Sequence, residues 1–412
     1  MKILAADYLV TMDETHKIIR NGAVLFDGSQ IVDVSFDREL ARSKHPDAEF
    51  EYLGTNSVIM PSLINTHAHL EFSKNKTTLH YGNFIDWLTS VIEKKDLTSD
   101  ADLESAMQDA LRQMKKSGVG AIGAISSFGK DIEALAGCGL RVTLFNEILG
   151  TSEERAEEVK SDFLRRFEII KRYGSDMLKP AISIHSAYSC SRSLIDFAAS
   201  FAKENSLKIC AHFMESKAER FWLDKSRGEF KAFFKAYFGI ERSFIKPDEF
   251  LAKLSGLKTI FIHCTHANDS EFETIRNDGS FVVHCPVSNR LLGGRLLDVE
   301  TAKNMRIEYI TATDGLSSNY TLNLWNEMRN ALFGYTDLSL KLLPYDLLKS
   351  VTVNAAKALD INGGKLEVGR NADLIAFCLP GFVEEDEYLP LQIILHTNEV
   401  SKLIINGVEI NG

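Results

Sequence analysis

The chain has 412 residues, a formal net charge of -10, and 45% hydrophobic and 25% charged residues, which suits one large domain with a well-buried core plus a smaller one. The acidic balance argues against a general nucleic-acid binder, which needs surplus Lys and Arg to displace phosphate counterions, and against a polybasic membrane anchor. No apolar run approaches the roughly 20 residues of a membrane span, the start is too short in its apolar stretch for a signal peptide, and six scattered cysteines without a C-x-x-C pair read as reduced thiols of a cytoplasmic protein.

In chain order, Lys2 to Met12 and Ala23 to Val34 read as short strands, with Asn21-Gly22 and Asp27-Gly28 as turns. The far end is similar: Ala372 to Phe377 and Val400 to Val408 are strand-like, with Asn406-Gly407 as a hairpin signal. Neither end has enough strands for a sandwich alone, so residues 1–58 and 366–412 are expected to build one small β-sandwich domain together. Between them short apolar runs alternate with amphipathic stretches. The runs are Ser57 to Ile64, Ala121 to Ile125, Arg141 to Phe145, Pro180 to Ile184, Leu207 to Ala211, Thr259 to Ile262, Phe281 to Val283 and Ile307 to Ile310. Helix-like segments such as Ser152 to Arg172 and Leu194 to Glu204 fall between them. This alternation predicts a (β/α)8 TIM barrel over residues 59–365. The charged and aromatic stretch Lys217 to Lys246 reads as a solvated helical excursion with a packed aromatic face; a lid over the site is the alternative.

Barrel enzymes hold their chemistry at the C-terminal ends of the strands. There the sequence places His67 and His69, His185, His212 with Glu215 three residues on, His263 and His266, His284, and Asp314, which together use most of the chain's eleven histidines. In an extended segment residues i and i+2 point the same way, so His67 and His69 can reach one ion. Imidazole and carboxylate suit zinc or ferrous iron. Three or four such ligands with one open position leave room for a water, whose pKa falls near neutrality beside the ion. Taken singly, each residue has a plainer reading: a lone His after a strand is usually structural, and Asp314 could cap the helix beginning near Leu322. Their conjunction favours a metal site, while His266 and His284 read better as structural residues.

The segments Pro61-Ser62-Leu63-Ile64-Asn65-Thr66-His67-Ala68-His69, His212-Phe213-Met214-Glu215, His263-Cys264-Thr265-His266, His284-Cys285-Pro286-Val287-Ser288-Asn289, Thr313-Asp314-Gly315-Leu316-Ser317-Ser318-Asn319 and Gly369-Arg370-Asn371-Ala372-Asp373-Leu374 resemble the amidohydrolase superfamily nearly end to end. They point to the branch of chlorotriazine hydrolases, guanine deaminases and methylthioadenosine or adenosylhomocysteine deaminases. The resemblance implies one divalent ion, Zn2+ or Fe2+, on His67, His69, His212 and Asp314. Binuclear relatives carry a lysine at the end of strand 4; here Ile182-Ser183-Ile184-His185 has none, which supports a mononuclear site. His185 to Tyr188 is similar to the branch's substrate-contacting H-x-x-Y segment, and Phe84 to Leu88 to its tryptophan motif.

Ile85 stands where nucleoside deaminases of the branch place a glutamate, and Glu147 where adenosylhomocysteine-type members tend to carry an arginine. The run His69 to Ser73, with Phe84 to Leu88, is most similar to the aminodeoxyfutalosine deaminases, which act in the futalosine route to menaquinone. The implied reaction is hydrolytic loss of the 6-amino group of an adenine nucleoside. Asp314, assisted by His263, takes the water's proton, and Glu215 protonates the ring. Phe84 and Trp87 are expected to wall the purine, His185 and His263 to recognise it, and Arg155 to pair with a substrate carboxylate. The alternatives are a methylthioadenosine, adenosylhomocysteine or adenosine deaminase, a guanine deaminase, a triazine or pterin hydrolase, and, distantly, a non-catalytic scaffold. The expected partner is the small-molecule nucleoside, with no nucleic acid and no membrane; a homodimer is allowed.

Overall fold

The computed structural model describes residues 1–15, 17–94 and 99–410. Eight parallel strands follow one another in chain order: Leu63–Ala68, Val119–Ser126, Arg141–Ile148, Leu178–Ser186, Ile209–Phe213, Ile260–His263, Phe281–His284 and Tyr309–Thr311. Helices such as Asp100–Lys116, Ala156–Arg172 and Arg192–Glu204 lie between them. The ring closes at the end of the eighth strand. The Asp314 backbone N–H donates to the His67 carbonyl at 3.0 Å. The Asn65 side-chain amide donates to Thr313 Oγ1 at 2.7 Å and accepts from the Thr313 N–H at 3.2 Å. This is the (β/α)8 barrel that the alternating runs predict.

The strands read as unbroken apolar runs because both faces are covered, as in any helix-wrapped parallel sheet. Leu63–Ala68 and Val119–Ser126 are buried at every position. Ile64, Ala121, Phe145, Ala181, Ile262, Val283 and Ile310 belong to one buried cluster that fills the barrel.

The chain ends build two further sheets. One has four strands, in the order Gln30–Ser35, Ala23–Asp27, Lys2–Ala5 and Glu49–Tyr52. The other has six, in the order Val408–Glu409, Lys402–Ile405, Leu374–Cys378, Ser57–Pro61, Tyr8–Val10 and Ile18–Arg20. Leu4, Val24, Phe26 and Ile31 of the first meet Leu9, Ile59, Leu374 and Ile404 of the second in one buried cluster, as in a sandwich. Two runs that read as single strands are each divided. Lys2 to Met12 contributes one strand to each terminal sheet. Ser57 to Ile64 gives Ser57–Pro61 to the terminal layer, antiparallel to Leu374–Cys378, and begins the barrel at Leu63. Continuous hydrophobicity hides the break, because the residues on both sides of it are buried.

The Lys217 to Lys246 stretch holds the helices Lys217–Lys225 and Glu229–Phe238. Phe230, Phe233 and Phe234 recur at helical spacing and are buried, and Trp222 stacks on Phe234 with ring centroids 5.0 Å apart. Among the described residues no helix is long and apolar enough to cross a membrane.

Candidate metal centre and active site

The strand ends carry their chemistry on unusual backbone. Met214, His263 and Asp314 have φ of 52°, 74° and 61°, a left-handed region that costs non-glycine residues about 1–3 kcal/mol and collects at functional sites. Neighbouring bonds hold these turns: the His266 N–H donates to the Met214 carbonyl at 2.8 Å, and the Cys264 N–H to the Phe213 carbonyl at 2.9 Å.

His67 Nε2 and His69 Nε2 lie 3.2 Å apart. Asp314 Oδ1 stands 3.3 Å from the first and 3.6 Å from the second. His212 brings a ring nitrogen within 4.8 Å of both histidines' nitrogens, and His263 joins an overlapping group with His67 and Asp314. A tetrahedral zinc with bonds of about 2.0–2.1 Å holds neighbouring ligand atoms about 3.3–3.4 Å apart. The spacing therefore fits a common ion. The protonation states fit too. Burial, and then His67, push His212 down to about 3, and burial holds His69 well below the usual histidine range. Both rings are neutral at pH 7. His212 Nδ1 bonds the His185 carbonyl at 2.7 Å, which leaves the Nε2 lone pair free to bind. Burial would raise Asp314, but the bond from His67 and the polar edges of the neighbouring histidine rings keep it well below the carboxylate norm. Its Oδ2 accepts from Ser288 Oγ at 2.7 Å and Ser318 Oγ at 2.8 Å.

Glu215 is the opposite kind of acid. Burial first, then the charges of Asp314 and Glu219, push it well above the carboxylate norm. Its Oε1 is 3.3 Å from His263 Nε2. The Glu219 carboxylate accepts from the Met214 N–H at 3.1 Å and the Glu215 N–H at 2.8 Å, which fixes the turn that carries Glu215. Asn289 Nδ2 meets His263 Nδ1 at 2.9 Å; with the amide donating, the ring proton sits on Nε2, facing Glu215. Burial, then His67, lower His185 to about 4, and its Nδ1 meets Ser189 Oγ at 2.6 Å.

These groups floor a cavity of about 440 Å3 with an aromatic rim of Phe72, Trp87, Phe128, Phe233, Tyr237 and Phe238, a size usual for a small-molecule site. His69, His185, His212, Glu215, His263, Asp314 and Trp87 all line it. Trp87 Nε1 donates to the Ser317 carbonyl at 2.8 Å. Phe233, Phe234, Tyr237 and Phe238 of helix Glu229–Phe238 line it as well, so the aromatic face of that excursion both packs and walls the cavity.

Two expected contacts are not brought to the cavity. Phe84 is buried behind Trp87, with ring centroids 5.4 Å apart. Arg155 lies seven residues beyond the third barrel strand, at the outer start of helix Ala156–Arg172. Its side chain is 70% exposed and pairs with Glu158 at 2.9 Å, one turn along the acidic run. His284 is buried with its Nε2 2.7 Å from the Tyr335 hydroxyl. Ser288, Ser318, Asn289 and Glu219 orient the site, and sequence reasoning does not single them out. The first three sit inside quoted motifs, and their spacing of four or five residues from a strand-end His or Asp is the signal that could have found them.

The sequence pattern of the amidohydrolase family matches residues 58–410. The chain is 40% identical to the aminodeoxyfutalosine deaminase of a Nitratiruptor species, over 95% of this chain and 96% of that one. It is 32% identical to the adenosine deaminase of Helicobacter pylori, over 98% of each. The crystal structure of Helicobacter pylori aminofutalosine deaminase in complex with methylthio-coformycin superposes with a TM-score of 0.92 at 31% identity, covering 100% of both chains. With this agreement in sequence pattern, close relatives and whole-chain fold, the protein belongs to the amidohydrolase family.

Proposed function

We propose that this chain is a hydrolytic deaminase that removes the 6-amino group of an adenine nucleoside, with aminodeoxyfutalosine as its preferred substrate. The observation that carries this reading is the meeting of two differently prepared groups on one cavity floor: the neutral histidines and ionised Asp314, and the buried, proton-retaining Glu215. His67, His69, His212 and Asp314 would hold one zinc or ferrous ion, and the end of strand 4 offers no lysine for a second. Such an ion, when bound, brings the pKa of a water close to neutral. Asp314, with His263 beside it, accepts the water's proton as water adds to C6. Glu215 gives its proton to the adjacent ring nitrogen, so negative charge does not build up there. The amine then takes the proton held by Asp314, the C6–N bond breaks, and the C6 hydroxyl gives its proton back to Glu215, leaving ammonia and a 6-oxo purine.

The names of the relatives support a nucleoside substrate, and the rim supports an aromatic extension on it. Among the described residues lining the cavity there is no Lys or Arg. A carboxylate on the substrate would therefore project past the rim into solvent, and Arg155 is not needed to hold it. The same absence favours a second activity on neutral nucleosides, methylthioadenosine and adenosine. In a cell that makes menaquinone by the futalosine route, the product would feed that route in the cytoplasm.

The test is ammonia release across aminodeoxyfutalosine, methylthioadenosine, adenosylhomocysteine, adenosine and guanine. The expected result is the highest kcat/KM on aminodeoxyfutalosine. Guanine turned over fastest, with no activity on any adenine nucleoside, would overturn the reading.

A further inference from the structure

The cavity holds a carboxyl group that the reaction above does not use. Glu147, at the end of the third barrel strand, lines the cavity and is buried. Neighbouring hydroxyls hold it: Ser127 Oγ donates to Oε2 at 2.6 Å and Ser183 Oγ to Oε1 at 3.3 Å. Ser127 is pinned in turn. The Glu71 carboxylate accepts from the N–H groups of Ser127, Phe128 and Lys130 at 2.6, 2.9 and 2.7 Å. Glu147 is thus fixed through strands one to four before any ligand arrives, and a fixed acceptor loses little entropy on binding.

A carboxylate offers about four acceptor positions, and the two serines use one on each oxygen, leaving one on each. A Glu147 oxygen lies within 4.8 Å of ring nitrogens of His185 and His212, so it faces ligand just beyond the reacting end. A second ion does not explain the arrangement, because His212 is shared with His67 and His69 and has Nδ1 committed to the His185 carbonyl. A buried acid facing an empty acceptor slot on each oxygen is satisfied by a ligand that brings two donors. A vicinal diol does so, and carboxylates elsewhere bind ribose hydroxyls in this way. Ile85 is apolar and cannot serve as that acceptor.

We propose that Glu147 is a specificity-determining residue that accepts hydrogen bonds from the 2′ and 3′ hydroxyls of the bound nucleoside; this rests on the nucleoside reading given above. It also disfavours any anionic substituent at that position.

The test compares kcat/KM for adenosine and 2′,3′-dideoxyadenosine in the zinc-loaded wild type, Glu147→Gln and Glu147→Asp, with metal content measured on each. The wild type is expected to prefer adenosine by about 10- to 100-fold, the scale of leaving a buried acceptor without its partners. That ratio should fall toward one in Glu147→Gln and take an intermediate value in Glu147→Asp. A loss shared equally by both substrates, leaving the ratio unchanged, would overturn the assignment and make Glu147 a purely structural acid. If Glu147→Gln fails to fold or to hold metal, the Glu147→Asp ratio decides in the same way. A wild type that deaminates no 6-aminopurine nucleoside would instead overturn the proposed function, and this inference with it.

Discussion

Glu215 and Asp314 are both buried, yet their surroundings drive their pKa values in opposite directions, the arrangement by which enzymes separate an acid from a base. Glu215→Gln keeps the size and removes the titrating proton. Turnover should fall by at least about 100-fold, the scale of acid–base catalysis, while metal content stays near normal. Asp314→Asn should damage both, by elemental analysis and by rate. In the proposed reaction Glu215 carries a proton, and burial raises its pKa, so activity should fall as pH climbs through that raised value. A kcat–pH profile checks this. The residues that local geometry brings together are legible in the sequence: His67 and His69 bring their ring nitrogens to 3.2 Å from two places apart, and Glu215 lies three residues past His212. Ser288 and Ser318 are less so, because they act on Asp314 across 26 and four residues, and nothing in a serine itself marks that. Arg155 is not among the residues lining the cavity: distance past a strand end does not say which way the chain then turns.

At the scale of elements, the metal motif depends on a defect in the sheet. Pairing of the first and second barrel strands slips between Asn65 and Ala68, and Gly123 lies beneath the slip. A Cβ there would stand 2.3 Å from the Thr66 carbonyl, which no side-chain adjustment relieves. Gly123→Ala should therefore push the strand bearing His67 and His69, at about 1–3 kcal/mol as for other overpacked sites, with metal retention falling alongside Tm. Normal zinc content in that variant would show that the strand can shift without its ligands. On the far wall, Phe238 is about half exposed and lines the cavity. Phe238→Ala should raise KM for a nucleoside with an aromatic extension several-fold more than for adenosine, in side-by-side initial rates. The eight barrel runs are legible because two-sided burial leaves a continuous apolar signature. The division of Ser57 to Ile64 is not, because hydrophobicity carries no mark where one buried layer ends and the next begins.

Over the whole molecule, the buried titratable groups set where the protein without metal is most stable. His185, His212, His266 and His284 are lowered from 6.5 to about 4, 3, 4 and 3, each by burial first. Between those values and 6.5 the unfolded chain binds protons that the folded one refuses, so stability rises with pH through that window. Glu219 and Glu327 are raised from 4.5 to about 7 and about 8, again by burial first. Between 4.5 and those values the folded state keeps protons that the unfolded chain releases, so these groups make stability fall as pH rises. From 4.5 to 6.5 both sets act, joined by His69 and His263 on one side and by Glu71, Asp131, Glu147 and Glu215 on the other, so the two slopes oppose each other and stability changes little. Above 6.5 the histidines contribute nothing further and the acids alone pull stability down until about pH 8. The metal-free protein should therefore show its highest Tm between about pH 4.5 and 6.5, measured by scanning calorimetry in chelator from pH 3 to 9. Zinc added to the proposed ligand set should raise Tm at neutral pH. Because its ligands must be deprotonated, the gain should shrink as pH falls. A Tm that does not fall below pH 4.5 would mean that the histidines are not held neutral by burial, and a zinc effect equal at pH 5 and pH 7.5 would mean that the ion sits elsewhere.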